Sequence, residues 1–417
     1  MAVLEATGMK ASRLGELGKI WMPSRFARSY ASPNEAGLPY LRPYDVFDYL
    51  PVASDHLSVE RNNKIEQLIL REGMILQTCS GRNLGPCAYV DKALDGFALS
   101  HDMARIEIGD VDLRTYVLTY LKTNTGQALL RRGKSGSVID HLTAEDIGAV
   151  PIVFVEPQVR EEIIRRSNRA LELISTARVA LRALLDQQAL RYSAPARTSP
   201  TKSGWTVRVG SISDRLDAAF YDPLVRESVE QVEKVSGPVS GTVAQAHKPQ
   251  RYNRYYVTPE HGRPILSGRQ LLQIEPVNIR HVSDRSFSDP ESYALSSGMV
   301  IFGAVGRAEG RLGVPSLVNF ERHGWLASED VARLIPRDGV SPGALWLAVS
   351  AMQSQLQIKS LSFGSVIDHM DARDIDSITL PPLDEEMGKQ AEHAWDCFAE
   401  ANAELSSSIA LLQNHLA

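Results

Sequence analysis

The sequence predicts an α+β protein built as an internal pseudo-twofold repeat: two tandem globules, each running into a long helix, with the two helices paired antiparallel as a coiled coil. Three observations predict it. The hexapeptide GSVIDH occurs twice, at 136–141 and 364–369. Similar stretches flank both copies at a nearly constant spacing. Each half then ends in a heptad-like run of small and apolar residues.

Extended forward, GSVIDHLTAEDI (136–147) meets GSVIDHMDARDI (364–375), identical at nine of twelve positions and 228 residues further on. Backward at the same spacing, FALSHDMAR (97–105) falls on WLASEDVAR (325–333), and Val117, Leu118 and Leu121 fall on Leu345, Trp346 and Val349. Earlier the spacing is 225, where GLPYLRPYDVFDYLPV (37–52) meets GRPILSGRQLLQIEPV (262–277) and GMILQTCSGR (73–82) meets GMVIFGAVGR (298–307). Near the starts of the halves, RFARSY (25–30) and RLDAAFY (215–221) hold similar places. Self-similarity on this scale means one structural unit made twice.

Behind each hexapeptide lies a seam. In the first half Ile163, Ser167, Ala170, Ile174, Ala177, Leu181, Leu184 and Gln188 step alternately by four and three residues, as coiled-coil positions do. At a spacing of 224, Met387, Ala391, Ala394, Phe398, Ala401, Leu405, Ser408 and Leu412 repeat the register. Residues 160–191 carry seven Arg against four acids, while 383–416 carry one Lys against seven. Opposite charge favours pairing with each other over pairing with a like helix. At 1.5 Å per residue the paired helices make a rod of about 50 Å.

The Pro, Ser and Thr stretch SAPARTSPTKSG reads as a linker. The expected division is a first globule over 1–155, a helix over 156–192, the linker over 193–204, a second globule over 205–382 and a helix over 383–417.

Composition is that of an ordinary globular protein, with 43% hydrophobic and 23% charged residues and a formal charge of −5. Any nucleic-acid surface must therefore be local. No apolar run approaches a membrane span, and the N-terminus lacks a basic start followed by an apolar core, so a cytoplasmic location is expected. Cys79, Cys87 and Cys397 are too few and too irregular for a disulfide framework or a four-ligand zinc site, and read as plain buried or loop thiols. Phosphate-loop, zinc-protease, nucleophile-elbow and amino-methyltransferase tetrapeptide patterns are all missing. No catalytic and no metal-binding residue is proposed.

Asp140–His141 and Asp368–His369 invite an acid/base reading, but neighbours on an extended segment face opposite ways. The hexapeptide is expected to be structural instead. Gly makes a tight turn, Val and Ile fill the core, and Thr143 with Asp146, or Asp371 with Asp374, caps the short helix that follows.

Loops carry the positive signals. HKPQRYNRYYV (247–257) sets Lys248, Arg251 and Arg254 among Asn253 and three tyrosines, with no acid. Cations neutralise phosphates, and Arg and Asn match the edges of guanine and adenine. The twin turns SGRNLG and VGRAEGRLG place Arg82 and Arg307 on a repeated framework with unlike neighbours, as a reader of two different short sequences requires.

At this point the chain resembles the specificity subunits of type I restriction-modification systems. The resemblance spans nearly the whole chain, from about Ser12 onward, and rests on LPYLRPYDV and RPILSGRQL, REGMILQTCSG and SSGMVIFGAVG, the GSVIDH segments and the terminal helices, in the same order twice. It implies two target-recognition domains, each reading one half of a bipartite double-stranded DNA sequence, joined by a helix pair that acts as a ruler. It also implies a subunit that is not itself an enzyme and needs no cofactor. Two methyltransferase subunits, which bind S-adenosylmethionine and methylate adenine, would dock on the helices at 160–191 and 384–414, joined in the full complex by a motor/nuclease subunit. The first half departs from the pattern before its helix, with VPIVFVEPQVREE where the second keeps LPPLDEE. The DNA-contact candidates are Arg42, Ser80, Arg82 and Asn83 in the first domain and Lys248, Arg251, Asn253, Arg254, Arg269, Arg307 and Arg311 in the second. A self-sufficient DNA-modifying or cleaving enzyme and a coiled-coil scaffold without DNA binding are the competing readings.

Overall fold

Short apolar runs such as Ile75–Thr78 and Val300–Gly303, each set off by a glycine in the left-handed region two residues before, become central strands in this computed structural model. It describes residues 10–32, 34–80, 84–132, 141–192, 204–212, 215–307, 310–364 and 367–416. In the first half come β1 (Lys10–Arg13), α1 (Leu14–Leu17), β2 (Lys19–Trp21), β3 (Gly37–Leu41), β4 (Asp55–Ser58), β5 (Ile75–Thr78), β6 (Cys87–Tyr89), β7 (Ala98–Leu99) and β8 (Met103–Glu107). They lead to α2 (Val111–Lys122), α3 (Asn124–Arg132), α4 (Ala144–Gly148), β9 (Pro151–Phe154) and the long α5 (Pro157–Arg191). The second half has α6 (Pro223–Lys234), α7 (Ser240–Val243), β10 (Ala244–His247), β11 (Tyr256–Val257), β12 (Arg263–Leu266), β13 (Arg280–Val282), β14 (Val300–Gly303), β15 (Val305–Gly306), β16 (Pro315–Leu317), β17 (Leu326–Ala327) and β18 (Val331–Pro336). It ends with α8 (Pro342–Ser350), α9 (Met352–Leu361), β19 (Asp368–His369), α10 (Ala372–Asp376) and the long α11 (Glu385–Leu416).

Contacts divide the chain inside the long helices rather than at the linker. One unit holds residues up to Val179 together with Glu400–Ala417, and the other holds Ala180–Ala399. Each contains one globule and part of both helices. Residues 193–203 of the linker lie outside the described residues.

The repeat is visible strand by strand. The first unit has a sheet in the order β2-β8-β5-β6, and the second has β10-β18-β14-β16. Ile75 faces Ile106 in the first, and Val300 faces Leu334 in the second. A parallel pair, Tyr40 with Ala98, recurs as Ile265 with Leu326. The Arg13–Pro151 pairing recurs as the isolated bridge of Val239 with Thr379. β5 and β14 are buried along their whole length, and the first core joins Ile75, Ala104 and Ile106 to Tyr116, Val117 and Leu121 of α2.

The helices pair antiparallel within each unit. In the first, a buried hydroxyl chain runs from Thr119 Oγ1 of α2 to Ser167 Oγ of α5 at 2.7 Å and on to Ser408 Oγ of α11 at 2.6 Å. Ser408 Oγ also donates to the Ile163 carbonyl, and Arg166 meets Glu404 at 3.4 Å. In the second, Arg191 meets Asp384 at 2.7 Å. The seam positions Ile163, Ala170, Ala177, Leu181, Leu184, Met387, Ala394, Phe398, Ala401, Leu405 and Leu412 are buried. Ile174 is half-buried, and its neighbour Leu173 is buried. The helix also turns a wide face to its globule, where Gly343 approaches Gly388 so closely that an added Cβ on Gly343 lies 2.0 Å from the Gly388 carbonyl oxygen.

The expected caps are present. Thr143 and Asp146 form a capping box on α4, and Asp371 and Asp374 form one on α10. Gly364 has φ +153°, and a Cβ there meets the Ile367 carbonyl, so the glycine is required by the turn. The expected core role of the hexapeptide isoleucine fails in the second copy, where Ile367 is 51% exposed. Residues 133–140 and 365–366 lie outside the described residues. All three cysteines are buried and free, and burial pushes the Cys79 thiol up to about 12.

Candidate nucleic-acid interface

RFARSY (25–30) has its counterpart in RYNRYY (251–256), not in RLDAAFY. Both segments read Arg, aromatic, any residue, Arg, any residue, Tyr, and they stand 226 residues apart. The middle aromatic explains the local fold. Phe26 packs on a cluster of Tyr40, Leu57, Ile65, Leu68 and Ala98, while Tyr252 packs on Ile265, Val282, Ala294 and Leu326. Tyr252 is further held between Phe287 and Tyr293, with ring centroids at 4.4 and 4.7 Å. Burial pushes its hydroxyl up to about 12.

The backbone is tied identically. The Ser58 N–H donates to the Ser29 carbonyl at 2.9 Å, and the Ser283 N–H donates to the Tyr255 carbonyl at 3.0 Å. Tyr30 bridges Leu57, and Tyr256 pairs with Val282. With the aromatic half-buried on its cluster, most of its neighbours in the segment turn toward the surface, although Arg254 stays half-buried. Arg25, Arg28, Tyr30, Arg251, Asn253, Tyr255 and Tyr256 are all exposed. RLDAAFY instead packs beside α9, with Arg215 bonded to Asp217 and to the Leu361 carbonyl.

The charges differ between the units. Arg28 lies over the Tyr40 ring at 5.7 Å. Burial, together with the nearby Arg28 and Arg25, lowers the pKa of His101 against the opposing pull of Asp102. The residue at the matching place in the second unit is Glu329, only 12% exposed, which bonds to Arg254 and stands 3.9 Å from Arg251. The acid absent from HKPQRYNRYYV is thus supplied from another part of the fold. Where the first unit has Asp55, the second has Arg280, stacked 4.1 Å from the Tyr256 ring.

Among the other candidates, Arg42 is exposed and paired with Asp55 at 2.9 Å, which raises its pKa. Ser80 bridges His141 in the first unit, as Val305 pairs with His369 in the second. The hexapeptide histidine therefore braces Ser80 in the first unit and, in the second, the strand that leads to Arg307. Lys248 adds to this brace, donating to the Met370 carbonyl at 3.0 Å. Arg307 is exposed, Arg269 and Arg311 are half-buried, and Arg251 is 88% exposed. Arg82 and Asn83 lie outside the described residues.

Arg25, Arg28 and Arg280 were not singled out by sequence reasoning. The 226-residue match of the two Arg-aromatic segments was the signal that identified the first two. Among the described residues, no group of three His, Cys, Asp or Glu side chains is placed to hold a metal ion, and no helix is long and apolar enough to cross a membrane.

No family model and no curated protein matches the chain. Three solved structures align along almost its whole length. The S subunit of a type I restriction-modification system from M. genitalium is 12% identical over 98% of this chain and 96% of its own, with a TM-score of 0.37. The HsdS subunit from Thermoanaerobacter tengcongensis is 15% identical over 98% and 95%, with a TM-score of 0.29. A structure described for complex assembly and conformational transition of the type I R-M system is 16% identical over 98% and 95%, also at 0.29.

Proposed function

We propose that this chain is the non-catalytic, DNA-reading specificity subunit of a type I restriction-modification system. Each globule reads one half of a bipartite double-stranded sequence. The long helices, with the hexapeptide regions near their bases, recruit two adenine methyltransferase subunits that bring S-adenosylmethionine, and a motor/nuclease subunit joins in the complete complex. One observation supports this above the rest. The two units keep the same strands, caps and aromatic anchors, yet carry different side chains at matching positions near the surface, such as the half-buried Asp55 against the exposed Arg280. A constant scaffold suits identical partners, whereas a variable surface suits two different DNA half-sites.

The test is reconstitution. The purified chain alone binds duplex DNA with strong salt dependence and methylates nothing, and adenine methylation starts only when its methyltransferase partner is added. Metal- or cofactor-dependent activity of the chain alone would favour a self-sufficient enzyme. DNA affinity that ignores salt, or none at all, would favour a protein scaffold.

A further inference from the structure

The two Arg-aromatic segments share a backbone, but their acids sit in different places. In the first unit Asp55 takes Arg42 and Glu35 takes Arg61, and Arg25 and Arg28 have no carboxylate partner among the described residues. In the second the acid is Glu329, which takes Arg254, and Arg280 occupies the place of Asp55. Arg254 is correspondingly withdrawn, at 26% side-chain exposure, while Arg280 lies on the outside of β13 against Tyr256. A guanidinium already bonded to a carboxylate gains little by exchanging it for a phosphate. The exchange also strands the largely buried Glu329 carboxylate beside a second anion.

We propose that the two segments are phosphate clamps that use their equivalent arginines unequally. In the first globule Arg28 contacts the DNA backbone, whereas in the second Glu329 holds Arg254 off the DNA and Arg280 takes over the contact. This assignment rests on the DNA-reading function proposed above. It makes Glu329 a positioning residue that sets which cations face the duplex, so matching positions in the two halves answer differently to the same substitution.

The experiment measures affinity of the full-length chain for a short duplex of arbitrary sequence across a series of KCl concentrations, since phosphate contacts need no particular target. Each phosphate contact contributes about 0.9 to the slope of log affinity against log salt. Arg28→Gln and Arg280→Gln each flatten the slope by about 0.9, while Arg254→Gln leaves it unchanged. Glu329→Gln steepens it by about 0.9 by releasing Arg254. Because Arg254→Gln leaves the largely buried Glu329 with only the more distant Arg251, the double variant Arg254→Gln/Glu329→Gln controls for folding and keeps the wild-type slope. Equal flattening by Arg28→Gln and Arg254→Gln, or an unchanged slope in Glu329→Gln, overturns the unequal clamps while leaving the DNA-reading function standing. A wild-type chain without salt-dependent DNA binding overturns both.

Discussion

Arg178 and Arg322 close the same three-carbonyl cradle in the two halves of the repeat, but they arrive from different elements. Arg178, on α5, donates to the carbonyls of Val46, Asp48 and Tyr49 and to Asp91 at 2.9 Å. Arg322, on the turn after β16, donates to Leu271, Gln273 and Ile274, the positions 225 residues further on. Where the first unit has Asp91, the second has Asn319, which reaches the Trp395 carbonyl of α11 at 3.3 Å. The first globule is thus bolted to its helix by a buried ion pair, while the second supplies its own guanidinium.

That difference predicts unequal costs. Arg178→Met leaves the buried Asp91 carboxylate without its guanidinium and costs about 3–5 kcal/mol in urea unfolding. Arg322→Met strands the backbone carbonyls of Leu271, Gln273 and Ile274, which carry no formal charge, and costs about 1–3 kcal/mol. Equal losses would remove the distinction between the two attachments.

The helix seam predicts a second contrast. Phe398 is fully buried, and Phe398→Ala costs about 3–5 kcal/mol through the cavity it leaves. Val179, on the outer face of α5, is 49% exposed, and Val179→Ala stays within about 0.5 kcal/mol. Thermal or urea unfolding of the two variants checks both.

Stability also falls on the acid side. Hydrogen bonds from Arg61, then Ser58 and the Ser32 N–H, hold Glu35 down at about 2 against an ordinary value of 4.5. Arg165 and Arg166 hold Glu162 down at about 2, and the Met387 N–H with Arg191 lowers Asp384. A carboxyl whose folded value lies below its unfolded one adds stability above the unfolded value and loses it as pH drops through the folded one. Unfolding free energy should therefore decline from about pH 4.5 toward pH 2, and Glu35→Gln should flatten that decline.

Arg307 follows the strand braced by the second hexapeptide and stands exposed. Arg307→Ala should alter recognition of one half-site only, by about 1–3 kcal/mol if the side chain reads a base. Equal weakening on every DNA sequence, seen in competition binding, would make it a phosphate contact instead.

Much of the fold was legible because the repeat and the seam are written in period and spacing. The seam serines Ser167 and Ser408, the capping boxes and both long helices follow from local pattern. The long-range partners were not legible. Glu329 neutralises Arg254 from 75 residues away, and Arg105 and Arg333, both pushed down to about 10 by burial, donate across to backbone carbonyls of the second sheet in their own unit. In sequence those arginines look like surface cations, and only the strand pairing shows where they end. The hexapeptide departed from expectation in one respect, since its second isoleucine faces solvent, whereas its histidine pairs with Val305 as part of the framework.

The most direct test of the central claim is single-molecule sequencing of methylated adenines in cells with and without the gene. A two-part adenine motif with a fixed spacer, present in the wild type and gone in the deletion, is the predicted result. A methylome that is unchanged by the deletion would contradict the claim that this chain directs a methyltransferase to DNA.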